Sequence, residues 1–307
     1  MKRAVNCGLV KADNMKQAIL LLSFGTPRQP SDLLPYLTSI RRGKIPTERE
    51  LKVLTARYDA IGQWDNKLLQ TMGEDQKKTL KSLLAIDAMY LAYLHMPNSM
   101  EQAIESIATA GYTSILCIVT SPFYSMIGTG AYERKLHSIL RAYPDISCEI
   151  IKSWWNRPQF FEYWRSQLVA ANPLQADTAC IFSAHSVPTS TVGSYEDEVM
   201  SASNQIAKMV GLNHWYQAWQ SAAPYGEWLG PTIESVIEQA LIDGAKRIVC
   251  IPFGFVSDHV EILYDNDIIC RNIVENAGAT YERLPMPNGN TLYMEAMAKA
   301  IRERINK

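Results

Sequence analysis

The chain repeats itself, and the repeat limits the folds open to it. An amphipathic helix, MEQAIESIATAG, runs into the apolar stretch TSILCIV; later PTIESVIEQALIDG runs into RIVCIPF. Gly244 and Cys250 each fall 133 residues after Gly111 and Cys117. The first buried run, QAILLLSFGTP from Gln17, is likewise answered by TACIFSAHSVP from Thr178. Each is an apolar run of strand length closed by a small polar turn and a proline. Continuous apolar runs suit strands covered on both faces, as in parallel sheets. Their alternation with helices predicts two similar α/β halves joined by right-handed crossovers.

Within this frame, strands are expected over 17–24, 88–94, 113–123 and 147–154, and in the second half from Thr178 to just before His185, over the VCIPF run and over 279–284. Helices are expected over 66–85, 100–111, 132–142 and 291–305. The first domain is placed at 15–152 and the second at 153–286; the segment 287–307 carries a helix with no strand after it, expected to pack back on the first domain. Met15 directly precedes the first strand, so residues 1–14 read as a loose tail. A cleft between two such halves is the default place for a ligand.

Composition narrows the function. The chain of 307 residues is 47% apolar and 20% charged, enough to bury a substantial core. A net charge of −1 argues against a nucleic-acid partner, which calls for a basic face. No apolar run approaches the roughly 20 residues that span a bilayer. Lys11 interrupts the apolar part of the N-terminus, so no signal peptide is expected. Six cysteines show no CxxC pair, and Cys117, Cys148, Cys180 and Cys250 lie in or beside strand-like runs. A reduced, cytoplasmic protein follows, and we expect a monomer.

Two stretches carry candidate chemistry. Ile251 to Asp267, IPFGFVSDHVEILYDND, leaves a buried strand, turns at Gly254 and sets Asp258, Glu261 and Asp265 at i, i+3 and i+7. In an α-helix these acids share one face. A solvated helix face also carries acids, but this one emerges from a core strand. His185, in SAHSVP, stands at the end of the first strand of the second half among small residues. A histidine there can be a structural hydrogen-bonder; equally, the crevices of parallel sheets open beyond strand ends. Both stretches should then face one crevice.

SAHSVP followed by GFVSDHVEILYDND resembles the ferrochelatase family, as do LSFGTP, IRRG, ARYDAIG, WQS and WLGP. The resemblance runs from Met15 over nearly the whole chain. It implies two Rossmann-like domains, parallel sheets flanked by helices, with a porphyrin cleft between them. It implies insertion of ferrous iron into a porphyrin in haem biosynthesis, coproporphyrin III being preferred over protoporphyrin IX, with His185 and Glu261 as the catalytic pair. The same two residues and Asp265 would meet the metal, and Phe24, Arg41, Arg42, Arg57, Tyr124 and Trp228 would contact the porphyrin. Iron enters as substrate, no cofactor is required, and no iron–sulfur cluster is expected. The chain departs from the family pattern at Phe24, where a ligating tyrosine is common. It departs again at Ile269, where a further acid is common, and over 63–70, where QWDNKLLQ lacks a substrate-binding hydroxyl. A tetrapyrrole-binding protein without turnover and a cobalt chelatase of the same fold are the alternatives.

Overall fold

The computed structural model describes residues 16–64, 68–223 and 225–306, with the side chains of 68–70 left aside. The tail expected at 1–14 and the first two residues of the helix expected from 66 lie outside the described residues.

Two four-stranded parallel sheets organise the chain. In the first, β1 (Gln17–Ser23), β2 (Met89–Tyr93), β3 (Ser114–Val119) and β4 (Ser147–Ile151) stand in the order β2-β1-β3-β4. In the second, β5 (Thr178–His185), β6 (Trp215–Gln220), β7 (Arg247–Ile251) and β8 (Thr280–Arg283) stand in the order β6-β5-β7-β8. The register repeats as well as the order. Leu20 of β1 faces Cys117 of β3, and Ile181 of β5 faces Cys250 of β7. The sequence repeat is therefore one structural unit used twice. Counting four residues on from those partners, Phe24 and His185 occupy equivalent strand ends.

Helices fill the crossovers, as parallel pairing requires. Between β1 and β2 run α1 (Leu33–Ile40), α2 (Glu48–Ala60) and α3 (Leu68–Leu84). α4 (Ser99–Thr109) and α5 (Thr129–Leu140) complete the first lobe, and α6 (Pro158–Ala170) leads to the second. There α7 (Tyr195–Val210) and α8 (Ile233–Ile242) precede a π-helix, Glu261–Cys270, which continues into α9 (Arg271–Asn276). The expected strands at 17–24, 113–123 and 147–154 end earlier, and Phe123 and Trp154 lie buried beyond them. The helix expected at 132–142 begins at Thr129, whose hydroxyl donates to the Phe123 carbonyl at 3.2 Å. α6, α7 and β6 are among the elements with no counterpart in the sequence reading. WYQAWQ carries glutamines within its aromatics, so β6 shows no continuous apolar run.

Period-two alternation divides the first sheet between two cores. Ala18, Leu20 and Leu22 point outward under α4 and α5, whereas Ile19 and Leu21 point inward. The inward set joins Phe182, Val249, Ile251 and Phe253 of the second sheet in one core that both lobes share. α10 (Thr291–Ile305) completes it with Tyr293, Met294, Met297 and Ile301. Its Arg302 donates to the Leu83 carbonyl at the end of α3 at 2.9 Å, and the Tyr293 ring meets Trp154 edge-on at 5.5 Å. A side chain the size of Phe253, fully buried there, contributes roughly 1.5–3 kcal/mol. The shared core fixes the lobes against each other, and hence the width of the cleft. Among the described residues no helix is long and apolar enough to cross a membrane, and Cys117, Cys148, Cys180, Cys250 and Cys270 are free.

Candidate active site

His185 ends β5, a strand whose other seven residues are all buried. Its Nδ1 lies 2.5 Å from the Ser186 carbonyl, so that nitrogen carries hydrogen and donates. The other nitrogen, Nε2, is thereby turned toward Glu261, 3.6 Å from Oε1. The Tyr195 hydroxyl donates to the His185 carbonyl at 2.9 Å and pins the strand end from α7. Glu261 reaches this point because the loop after β7 passes very close to β5. The Gly254 N–H donates to the Ser183 carbonyl at 3.1 Å, and a Cβ at 254 would stand 2.4 Å from that of Ala184. Only glycine fits there. The crossing brings Phe255 beside the imidazole, with ring centroids 6.2 Å apart, and opens the π-helix at Glu261.

That helix corrects the expected row of acids. Its i→i+5 pattern replaces the α-helical one, and Asp258 precedes it. Arg283, at the end of β8, takes Asp258 at 3.2 Å and grips Asp267 through two bonds of 2.7 and 2.8 Å. Asn288 also donates to Asp258, at 2.8 Å. Asp258 is thus a structural acid that fastens the helix start, and two of the three carboxylates remain at the crevice. The second, Asp265, accepts from Ser221 at 2.8 Å and pairs with Arg57 of α2 at 3.3 Å. Arg57 also lies over the Tyr264 ring, 5.0 Å from its centroid. One guanidinium therefore ties the first lobe to the π-helix of the second.

Charges in the pair support each other. Burial works against the imidazolium, but Glu261, the Ser186 carbonyl and Asp265 outweigh it and raise His185 to about 9. Burial likewise opposes the carboxylate, yet His185, His259 and Arg57 hold Glu261 down to about 2. The two side chains keep 36% and 30% of their surface, so solvent screens this coupling. Asp265 is different: burial dominates and pushes it up to about 6 against Arg57 and Ser221. His259 is pulled down by burial and by His185; its Nδ1 accepts from the Glu261 N–H at 3.2 Å. Across the crevice Tyr36 and Tyr58 are raised first by burial, and the Glu261 charge adds to both.

The remaining sequence candidates fall around this centre unevenly. Phe24 keeps 45% of its surface and lies against His95, ring centroids 4.4 Å apart. Arg41 pairs with Glu50 of α2 and so serves the α1–α2 connection. Arg42 follows it with φ +55, exposed, and has no ion pair among the described residues. Tyr124, beyond β3, carries Lys152 over its ring at 5.5 Å. Trp228 bridges to Pro188 beside the His185 loop, its indole N–H donating to the Tyr225 carbonyl at 2.8 Å. Phe253 is plain core, whereas Phe255 and Tyr264 stand at the crevice. Over 63–70, Gln63 is buried and donates to the Pro27 carbonyl at 2.9 Å; residues 65–67 lie outside the described residues. Sequence reasoning gave no role to Tyr195, Gln220 or Ser221. The WQS triplet was the only available signal for the last two.

Solved structures of two chelatases share this architecture. The sirohydrochlorin chelatase SirB of Bacillus subtilis subspecies spizizenii superposes with a TM-score of 0.60 over 94% of this chain and 95% of its own, at 10% identity. CbiX, titled the terminal enzyme of sirohaem biosynthesis in denitrifying bacteria, gives 0.55 over 93% and 98%, at 13% identity. The fold is therefore the two-lobed chelatase fold. Within that class the sequence matches the ferrochelatase family over residues 16–305, and the chain belongs to that family. Coproporphyrin III ferrochelatase of Geobacillus kaustophilus is 32% identical over 302 residues, covering 93% of this chain and 95% of its own. The Staphylococcus aureus protein of the same name is 31% identical, covering 94% and 98%. The chain is a metal chelatase of haem biosynthesis.

Proposed function

We propose that this chain inserts ferrous iron into coproporphyrin III, giving coprohaem. The observation that carries the reading is the His185–Glu261 pair, 3.6 Å apart at a strand end where the two lobes meet. Relatives named for that activity align with more than nine-tenths of the chain. Insertion exchanges two pyrrole N–H protons for one Fe²⁺. A neutral imidazole ligates ferrous iron and accepts protons near neutral pH. The Glu261 carboxylate favours the protonated form of His185, so the proton must pass to Glu261 or outward before Nε2 meets iron or a pyrrole N–H. Asp265, raised to about 6, is poised to relay protons toward solvent. Glu261 and Asp265 also offer oxygen donors along the route by which iron arrives. A ring distorted from planarity exposes its nitrogens to the metal, and Phe255, Tyr264 and Trp228 provide walls against which it would bend.

Propionates need cationic partners. Arg42 is the first choice because its charge is unengaged; Arg41 and Arg57 are already paired, and Tyr124 and Phe24 line the first-lobe side. Coproporphyrin carries propionates on all of its pyrrole rings, which favours an open, polar cleft mouth. The free cysteines suit a reducing compartment, so we assign the protein to the cytoplasm, acting as a monomer without an iron–sulfur cluster. The deciding experiment is anaerobic incubation with ferrous iron and coproporphyrin III or protoporphyrin IX in parallel, followed by absorbance. Faster metallation of coproporphyrin III is expected. Faster turnover of protoporphyrin IX would reverse the substrate choice, and metallation of neither would end the chelatase reading.

A further inference from the structure

Gln220 ends β6 directly beside His185 in the sheet register, and it is 2% exposed. Its backbone carbonyl accepts from the Ser186 N–H at 2.9 Å, fixing the residue after His185. Its side-chain oxygen accepts from Ser183 in β5 at 2.8 Å. Its side-chain nitrogen donates both to the Glu261 carbonyl and to Asn266 Oδ1, each at 3.3 Å. One planar amide thus grips the strand that carries His185 and the helix that carries Glu261. The partners determine its orientation: Ser183 must donate to oxygen, because the two π-helix groups are acceptors and need the nitrogen.

We propose that Gln220 is a positioning residue for iron insertion, holding Glu261 at working distance from His185 without touching substrate itself. The proposal rests on the catalytic reading of that pair given above. Glutamine supplies what the place requires, one acceptor and two donors on a neutral group long enough to cross from β6 to the π-helix. Glutamate would aim an oxygen at two acceptors and bury a charge. Methionine would keep the volume and lose every bond. The brace acts at the first residue of the helix, where the Glu261 backbone sets the direction of its carboxylate. A displacement of about 1 Å at a reacting group can cost on the order of 10²-fold in rate.

The test compares wild type with Gln220→Met, Ser183→Ala, Glu261→Gln and the double variant Gln220→Met/Glu261→Gln. Insertion kinetics are read beside porphyrin affinity by fluorescence quenching. For Gln220→Met we expect kcat to fall at least about 10-fold, toward the limit set by misplacement, with porphyrin Kd changed less than about twofold. Ser183→Ala should fall in the same direction by less, because it only frees the amide to turn. In the double variant the losses should not multiply, since both changes act through one carboxylate. A Gln220→Met protein with lowered Tm but unchanged kcat would overturn the proposal, as would multiplying losses. Should Gln220→Met fail to fold, Ser183→Ala decides alone: wild-type kcat there overturns the proposal. Wild-type turnover of Glu261→Gln would instead remove the catalytic reading beneath it, and the two failures are thereby told apart.

Discussion

His185 holds its proton because a carboxylate stands opposite it, and this sets a sign that can be measured. A base raised in the folded state stabilises below its ordinary value of 6.5 and loses that contribution as pH climbs toward about 9. An acid lowered in the folded state stabilises above 4.5 and loses that contribution as pH falls toward about 2. Both hold in full between 4.5 and 6.5. The Tm of wild type should therefore exceed that of Glu261→Gln most at about pH 5.5, with the gap narrowing toward pH 9 and toward low pH. Added salt should shrink the gap, because the pair is partly exposed. A gap that widens steadily up to pH 9 would mean that His185 is neutral in the resting protein. For turnover, His185→Ala and Glu261→Gln should each lose on the order of 10²-fold or more, measured as metallation rate. Asp265→Asn should lose roughly 10-fold or less, since it stands one step further from His185. Equal rates for Glu261→Gln and Asp265→Asn would place the centre of the site elsewhere.

The π-helix is the element on which the site depends, and Arg283 is what fastens it. Its guanidinium is mostly buried and joins Asp258, before the helix, to Asp267 within it. Arg283→Met would leave two largely buried carboxylates unpaired, an expected loss on the order of 3 kcal/mol in urea unfolding, with a fall in insertion rate as Glu261 shifts. Unchanged stability would mean the acids find water or other partners without cost. None of this was legible in the sequence. Apolar runs announced seven of the eight strands because a strand covered on both faces has to be apolar throughout. β6 escaped because Gln217 and Gln220 break its apolar run, Gln220 being buried through its hydrogen bonds. The spacing of Asp258, Glu261 and Asp265 read as one α-helical face because a π-helix has no distinct hydropathy signature. His185 was legible because it ends a buried strand, which apolar runs mark well, and Glu261 because the DHVE motif that carries it resembles the family's. A long-range polar partner such as Arg283 carries no local pattern, so only the fold could bring it in.

At the scale of the molecule, the duplication explains why the cleft has two unlike sides. β1 and β5 are the same strand in register, and their ends place Phe24 on one lobe where His185 stands on the other. The shared core and α10 hold the lobes in place, and Arg57 crosses from α2 to Asp265, so the two strand ends look into one space. Phe24 is not buried strand core: it keeps 45% of its surface and meets His95 edge-on. A phenyl ring packs against a macrocycle but has no lone pair, so on the first-lobe side iron is left without a phenolate ligand. Product held in this way should leave readily, which suits an enzyme that must release an iron porphyrin. Phe24→Tyr restores the ligand at little steric cost, since the residue is already exposed. With ferric coproporphyrin added, the variant should develop a phenolate-to-iron charge-transfer band absent from wild type, and should bind that product more tightly, by about 10-fold for a gain near 1.4 kcal/mol. Insertion of ferrous iron should continue, because His185 and Glu261 stand on the other lobe. An unchanged spectrum with unchanged product affinity would show that residue 24 does not reach the metal. The equivalence of the two strand ends would then be architectural, with the chemistry confined to the second lobe.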